Sequence, residues 1–150
     1  MEEQVRTIYK KWIAAWNGKD AIAMGKLVAT NGSLIGFDGS QMNGRAAVEE
    51  AIGKIFRDYP TGEFVSVIKE IRSLTKEVYL VRAIVGMVPR GFTDLNPAVN
   101  AIQSMIAVQS DGKWLISLFQ NTPAAFHLEP ELGRQMTEEL QAQYLKNGVG

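Results

Sequence analysis

The sequence predicts a single α+β domain in which helices pack on one face of an antiparallel sheet. Three segments with helical periodicity lie within residues 5–58, and four segments rich in valine, isoleucine and aromatic residues follow within residues 63–121. Helices that precede the strands, instead of alternating with them, are typical of α+β folds. A chain of 150 residues, of which 46% are hydrophobic, is long enough to form one such core.

The first predicted elements are two consecutive helices. Apolar residues recur at intervals of three and four over residues 5–16, and Asn17-Gly18 is expected to end this first helix. Asp20 is the expected N-cap of a short second helix, whose apolar face continues through Val28 until Asn31-Gly32 breaks it.

A short strand, a third helix and four long strands follow. The short strand spans residues 33–37 and ends at the Asp38-Gly39 turn, and the third helix spans residues 45–58 and ends before Pro60. The four long strands are separated by short polar breaks and span residues 63–74, 78–88, 98–109 and 113–121.

A fourth helix is predicted over residues 130–147, outside a domain core of residues 4–128, and is expected to end at Asn147-Gly148. Its apolar stripe is narrow and consists of Leu132, Met136, Leu140 and Tyr144. Such a helix either packs on its own domain or contacts a partner subunit, and the sequence leaves both alternatives open.

Charge and composition argue against several classes of function. The 16 basic residues balance the 16 acidic ones, which is unlike a nucleic-acid-binding protein or a membrane-surface helix. No apolar run approaches the roughly 20 residues that span a bilayer, and residues 1–4 do not resemble the start of a signal peptide. We therefore expect a cytoplasmic protein that binds neither nucleic acid nor membranes.

Metal and cofactor sites have little support in the sequence. The chain has no cysteine and one histidine, His127, and it contains neither metal-ligand spacing nor a Gly-x-Ser-x-Gly elbow. The glycine-rich motifs of nicotinamide, flavin and nucleotide sites are missing as well. We expect no metal and no cofactor.

Asp38 is the candidate catalytic residue. It follows the apolar stretch of residues 34–37, and apolar surroundings raise the pKa of a carboxyl group, which would suit an acid or a base. An equally good interpretation is that Asp38 only stabilises the turn that it forms with Gly39.

Aromatic residues are the candidate walls of a hydrophobic pocket, although each could equally be an ordinary core residue. They are Trp12, Trp16, Phe37, Phe56, Tyr59, Trp114 and Phe119.

Polar residues embedded in the predicted strands need partners or a wet cavity. Gln103 and Asn121 are candidate ligand-binding residues, but Gln120 and Asn121 face opposite sides of the sheet, and the pattern does not decide which faces the pocket. With a three-residue hairpin loop at residues 75–77, Arg82 lies opposite Glu70, which favours an ion pair on the outer face.

Four motifs resemble the nuclear transport factor 2-like superfamily, and the resemblance extends over essentially all of residues 4–128. They are the run Trp12–Asp20, Gly36-Phe37-Asp38-Gly39, Gly44-Arg45 and Gly112-Lys113-Trp114-Leu115-Ile116. The run from Trp114 to Phe126 is similar, more narrowly, to the SgcJ/EcaC-type subgroup, which is related to SnoaL-like polyketide cyclases. The resemblance implies a cone of helices on a curved antiparallel sheet, a pocket between them, and a homodimer formed through the outer sheet face.

The resemblance also implies roles for two residues. Asp38 matches the general base of ketosteroid isomerase-like members, and Trp12 stands where those proteins have an oxyanion-stabilising tyrosine. An indole donates a hydrogen bond but lacks the acidity of a phenol, which argues against enolate-type isomerisation. Subgroup members are often labelled oxidoreductases, but no cofactor motif here supports that label.

Three functions are consistent with this sequence, because the superfamily contains both enzymes and non-enzymes. The first is a cofactor-independent enzyme with isomerase, cyclase or dehydratase chemistry on a hydrophobic, polyketide- or isoprenoid-like metabolite. The second is a non-catalytic binding protein for such a molecule, and the third is a dimeric association module.

Overall fold

The computed structural model describes residues 1–147, which form four α-helices, a short 3-10 helix and six strands. The helices are α1 (Glu2–Asn17), α2 (Ala21–Lys26), α3 (Arg45–Asp58) and α4 (Pro130–Lys146). The strands are β1 (Val28–Ile35), β2 (Gln41–Asn43), β3 (Glu63–Thr75), β4 (Val78–Val88), β5 (Ala101–Ser110) and β6 (Lys113–Pro123). Within the described part of the chain, no helix is both long and apolar enough to cross a membrane.

The predicted α+β fold is confirmed. The six strands form one sheet in the order β2-β1-β6-β5-β4-β3, in which every neighbouring pair is antiparallel except β1 and β6, which are parallel. In β5, buried residues alternate with half-buried ones, because one side of the sheet faces α1, α2 and α3. The main hydrophobic core lies between these helices and the inner sheet face.

The start of β1 corrects the prediction for residues 28–32. The second helix ends at Lys26, and Val28 begins a strand instead of continuing the helix. The amide of Ile116 donates to the carbonyl oxygen of Leu27 at 2.8 Å, and Gly32 lies so close to β6 that a Cβ atom would be 2.5 Å from the Ile116 carbonyl oxygen. Pairing with a distant strand, which local periodicity does not show, therefore decides this segment.

The start of β5 also differs from the prediction. Residues Pro97–Val99 form a 3-10 turn, and the strand begins at Ala101. The side chain of Asn96 accepts a hydrogen bond from the Ala98 amide at 3.2 Å and stabilises this turn. Buried Asn100 then donates from Nδ2 to Oγ1 of Thr137 in α4 at 2.8 Å.

The predicted pairing of Glu70 with Arg82 is confirmed. The two residues are directly opposite in the β3–β4 register, and Arg82 Nε donates to Glu70 Oε1 at 2.9 Å on the outer face. The hairpin loop, however, has two residues instead of three, since Thr75 pairs with Val78. An irregularity at Leu74 absorbs the extra residue and restores the predicted register.

The fourth helix packs on its own domain, which settles the alternative that the sequence left open. It covers part of the outer sheet face, where its buried residues Met136, Leu140 and Tyr144 contact a second cluster formed by Val65, Ile84, Val88 and Leu95. Lys69 Nζ on β3 also forms an ion pair with Glu139 at 2.6 Å. Leu132, which the pattern assigns to the apolar stripe, is exposed, and Gly148, the predicted helix stop, lies outside the described residues.

Candidate ligand-binding site

A cavity of about 560 Å³ opens between the helices and the inner face of the sheet. Helices α1 and α3 form one side, β4, β5 and β6 form the other, and the turn between β1 and β2 lies at the mouth. Seven of the ten candidate site residues line it, namely Trp12, Trp16, Phe37, Asp38, Tyr59, Gln103 and Asn121. The structure therefore brings together predicted residues from five separate parts of the chain.

Three predicted pocket residues lie outside the cavity lining, namely Phe56, Trp114 and Phe119. The Phe56 ring packs edge-on against Trp16 with 5.1 Å between ring centroids, and so supports the wall from behind. Trp114 packs edge-on against Tyr79 at 5.4 Å, and its indole nitrogen donates to Gln4 Oε1 at 2.9 Å. Trp114 and Phe119 are buried in the main core and Phe56 packs against it, which is the ordinary role of an aromatic residue with apolar spacing.

Aromatic stacking holds the two tryptophans that form the apolar wall. Trp12 stacks on the core residue Phe119 with 4.8 Å between centroids, and Trp16 stacks on Phe64 at 4.5 Å. The Trp16 indole also donates to the carbonyl oxygen of Gly62 at 3.3 Å. These contacts fix both indole planes before any ligand enters.

A chain of buried hydrogen bonds forms the polar end of the cavity. The Tyr9 hydroxyl donates to Gln103 Oε1 at 2.6 Å, Gln103 Nε2 donates to Asn121 Oδ1 at 3.0 Å, and Asn121 Nδ2 donates to the Ile35 carbonyl oxygen at 3.4 Å. Asn121, and not Gln120, therefore faces the cavity. Burial raises the pKa of the Tyr9 phenol, which keeps its proton.

Sequence reasoning missed the contribution of Tyr9. The residue falls on the apolar face of α1, where it looks like any other core aromatic, and it is 1% exposed. The only signal in the sequence is indirect, since a buried glutamine in β5 needs a partner. The identity of that partner follows only from the packing of α1 on β5.

The environment of Asp38 differs from the prediction. Its side chain is exposed in the turn between β1 and β2, where Oδ1 accepts a hydrogen bond from the Ser40 amide at 2.9 Å. This hydrogen bond, rather than burial, dominates and holds the pKa of Asp38 below its usual range. The expected rise in pKa is therefore wrong, because Leu34 of the preceding stretch is buried while Phe37, next to Asp38, is exposed and the Asp38 carboxylate meets water.

Lys54 is a charged residue of the cavity lining that sequence reasoning missed. It lies on α3, and together with Asp38 it supplies all of the charge in a lining that is otherwise apolar or neutral. One cation and one anion thus lie along a hydrophobic cavity. The deep polar groups, by contrast, are uncharged.

Comparisons with known proteins show the fold. No protein-family model and no curated protein matches the chain. A domain of unknown function with a cystatin-like fold from Nostoc punctiforme matches with a TM-score of 0.79 at 18% identity, over 97% of this chain and 96% of that one. An NTF2-like protein of unknown function from Shewanella oneidensis matches with a TM-score of 0.67 at 21% identity, over 80% and 97%.

A third match is a ketosteroid isomerase-like protein from Erwinia carotovora, with a TM-score of 0.66 at 15% identity, over 82% of this chain and 95% of that one. Identities this low show a shared fold and leave the activity open. The chain accordingly has the nuclear transport factor 2-like, or cystatin-like, fold.

Proposed function

We propose that this protein binds a hydrophobic small molecule in the cavity between its helices and sheet. The observation that carries the proposal is the cavity itself, which has about 560 Å³ of space, apolar walls and one polar end formed by Gln103 and Asn121. Ligand sites in proteins typically have volumes of roughly 300–1,000 Å³ and combine apolar walls with a few placed polar groups. A polyketide- or isoprenoid-like metabolite, with a large carbon skeleton and few oxygen atoms, fits this description.

Native mass spectrometry of the purified protein, followed by a thermal-shift screen of hydrophobic ketones and enones, tests the proposal. We expect either a co-purifying molecule or compounds that raise the melting temperature. In Ala51→Phe, a new ring fills the cavity from α3 and should abolish the shift, whereas Ala14→Phe on the exposed side of α1 should retain it. Equal responses of the two variants would show that the compounds bind elsewhere.

A second candidate function is acid–base catalysis by Asp38 on the same ligand. Asp38 supplies the one carboxylate of the cavity lining, and its lowered pKa keeps it ionised at neutral pH, so that it can accept a proton but not donate one. This role agrees with the resemblance to SnoaL-like and SgcJ/EcaC-type proteins, a subgroup to which we also propose that the chain belongs.

The Asp38→Asn variant tests this role. Its amide oxygen can still accept the hydrogen bond from Ser40, so the turn and the melting temperature should not change. Turnover of a bound substrate should disappear, while Asp111→Asn in the β5–β6 turn should remain active. If Asp38→Asn retains full turnover, the protein is a binder or uses another group.

We further propose that two chains form a homodimer through the part of the outer sheet face that α4 leaves uncovered. Leu80, Ile106 and Leu118 are register partners on three adjacent strands, and all three are half-buried in the single chain. A row of aliphatic side chains on long strands favours pairing with a second copy.

Sedimentation velocity at micromolar concentration tests the dimer. Ile106→Glu places a charge at the centre of the proposed interface and should yield a monomer, whereas Ile22→Glu, on exposed α2, should remain dimeric. A wild-type monomer would refute the assembly.

A further inference from the structure

We propose that the polar end of the cavity is a hydrogen-bond donor site that selects ligands carrying a carbonyl oxygen. The inference rests on the proposed function, since it assigns a ligand class to the same cavity. It depends on the direction of the hydrogen-bond chain that runs from Tyr9 through Gln103 and Asn121 to Ile35.

The direction of this chain is set at its last member. The acceptor there is the backbone carbonyl of Ile35, which can only accept a hydrogen bond. The Asn121 side chain must therefore turn its NH₂ group towards Ile35 and its Oδ1 atom towards Gln103. Gln103 in turn presents Nε2 to Asn121, which leaves Oε1 for the Tyr9 hydroxyl. Reversing either amide would bring two oxygen atoms face to face.

Tyr9 is compatible with the same direction at the other end. Its side chain is 1% exposed, and its ring is stacked near Phe119 with 6.2 Å between centroids. The phenol remains protonated because burial disfavours its charged form. A protonated hydroxyl 2.6 Å from Gln103 Oε1 can donate to that atom, so the Tyr9 end is compatible with the orientation of the amides that the Ile35 carbonyl sets.

The groups that the chain leaves without any hydrogen-bond partner are therefore N–H donors, while each amide oxygen is already paired once and keeps a second lone pair. Each primary amide has two N–H groups, and the chain uses one from Gln103 and one from Asn121. Both amide oxygens already accept a hydrogen bond from within the chain. The indole of Trp12, which lines the same cavity, has an N–H group and no acceptor.

A ligand that carries a carbonyl oxygen satisfies these donors, whereas a hydrocarbon of the same shape leaves them desolvated and unpaired. A site built to form hydrogen bonds rejects an analogue that lacks the matching group. We therefore expect a hydrophobic ketone, ester or lactone to bind about tenfold or more tightly than its hydrocarbon isostere.

Two probes of nearly equal shape test the inference, namely 2-acetylnaphthalene and 2-isopropenylnaphthalene, in which a methylene group replaces the carbonyl oxygen. Isothermal titration calorimetry on the full chain gives both dissociation constants. We expect the ketone to bind at least about tenfold more tightly. If both bind equally, the donor site is refuted and the pocket stands; if neither binds, the proposed function fails and the inference fails with it.

Variants of the polar residues test which side chains cause the preference for the ketone. Asn121→Leu should reduce the ratio between the two probes, and Gln120→Leu, one residue away on the opposite face, should leave it unchanged. The double variant Tyr9→Phe/Gln103→Leu removes the buried hydroxyl together with its acceptor, so that it is expected to fold, and it should reduce the ratio as well. If Asn121→Leu and the double variant both keep the full preference for the ketone, the donor site is refuted.

Discussion

The hydrogen bond between Tyr9 and Gln103 gives the most direct test of the buried polar chain. In Tyr9→Phe the ring and its contacts remain, but Gln103 Oε1 loses the donor that lies 2.6 Å away. Both side chains are 1% exposed, so water cannot replace the lost hydroxyl. Leaving a buried acceptor unpaired costs about 1–3 kcal/mol, and a central value of about 2 kcal/mol lowers the melting temperature of a domain of this size by roughly 4–8 °C.

Urea unfolding followed by circular dichroism gives the free energy of unfolding of this variant and its partners. Gln103→Leu alone should be destabilised, because it removes both the acceptor 2.6 Å from the Tyr9 hydroxyl and the donor to Asn121 Oδ1. The double variant Tyr9→Phe/Gln103→Leu should lose less than the sum of the two single losses, since neither partner is then left unpaired. Tyr59→Phe, at an exposed residue, serves as the control.

Two results would contradict this reasoning. A Tyr9→Phe protein within about 0.3 kcal/mol of the wild type would mean that the hydroxyl is not required by Gln103. Strictly additive losses in the double variant would mean that the two side chains act independently.

Three further predictions concern alkaline pH, the outer core and the β1–β6 contact. Because burial raises the pKa of Tyr9 in the folded state, the contribution of this residue to stability is complete below pH 10.0, its ordinary pKa, and is lost at higher pH. The wild type should therefore lose more stability than Tyr9→Phe between pH 9 and 11. Urea titrations measure both proteins, and parallel pH curves would contradict the prediction. Leu140→Ala, at a fully buried residue of α4, should lower the free energy of unfolding by about 2–5 kcal/mol, whereas Leu145→Ala on the exposed side of α4 should change it by less than about 0.5 kcal/mol. Gly32→Ala should disrupt the pairing of β1 with β6 and reduce the yield of folded protein. Gly36→Ala should fold normally, because its new methyl group would have no neighbour closer than 3.6 Å. Equal yields of the two variants would refute the argument that β1 and β6 lie too close for a side chain at residue 32.

The spacing of apolar residues predicted those helices and strands that bury one face and expose the other. The first and third helices and the long strands present one face to the main core, and the apolar pattern records that face directly. The register of Glu70 opposite Arg82 was predicted by counting from a three-residue loop, and it holds because the irregularity at Leu74 offsets the shorter, two-residue loop. Most candidate pocket residues were found because polar or aromatic side chains interrupt these patterns.

The environment of a side chain could not be predicted where it depends on contacts between distant segments of the chain. The prediction for Asp38 failed because exposure and a hydrogen bond from Ser40, and not the neighbouring apolar residues, set its pKa. Phe56 and Trp114 look like the other aromatic residues in the sequence, and only packing separates a core side chain from a pocket wall.

The sequence by itself determined the α+β class and the order of the helices and long strands. It also showed that Gln103 and Asn121 are polar residues within apolar strands. These features depend on local propensity and on the alternation of side chains. The tertiary structure alone decided that β1 pairs in parallel with β6, that α4 covers its own sheet, and that Tyr9 pairs with Gln103 while the Ile35 carbonyl sets the direction of the amides in the cavity. The reason is physical, since a strand edge, an apolar helix face and a buried hydroxyl each have many acceptable partners, and only the packed chain selects one.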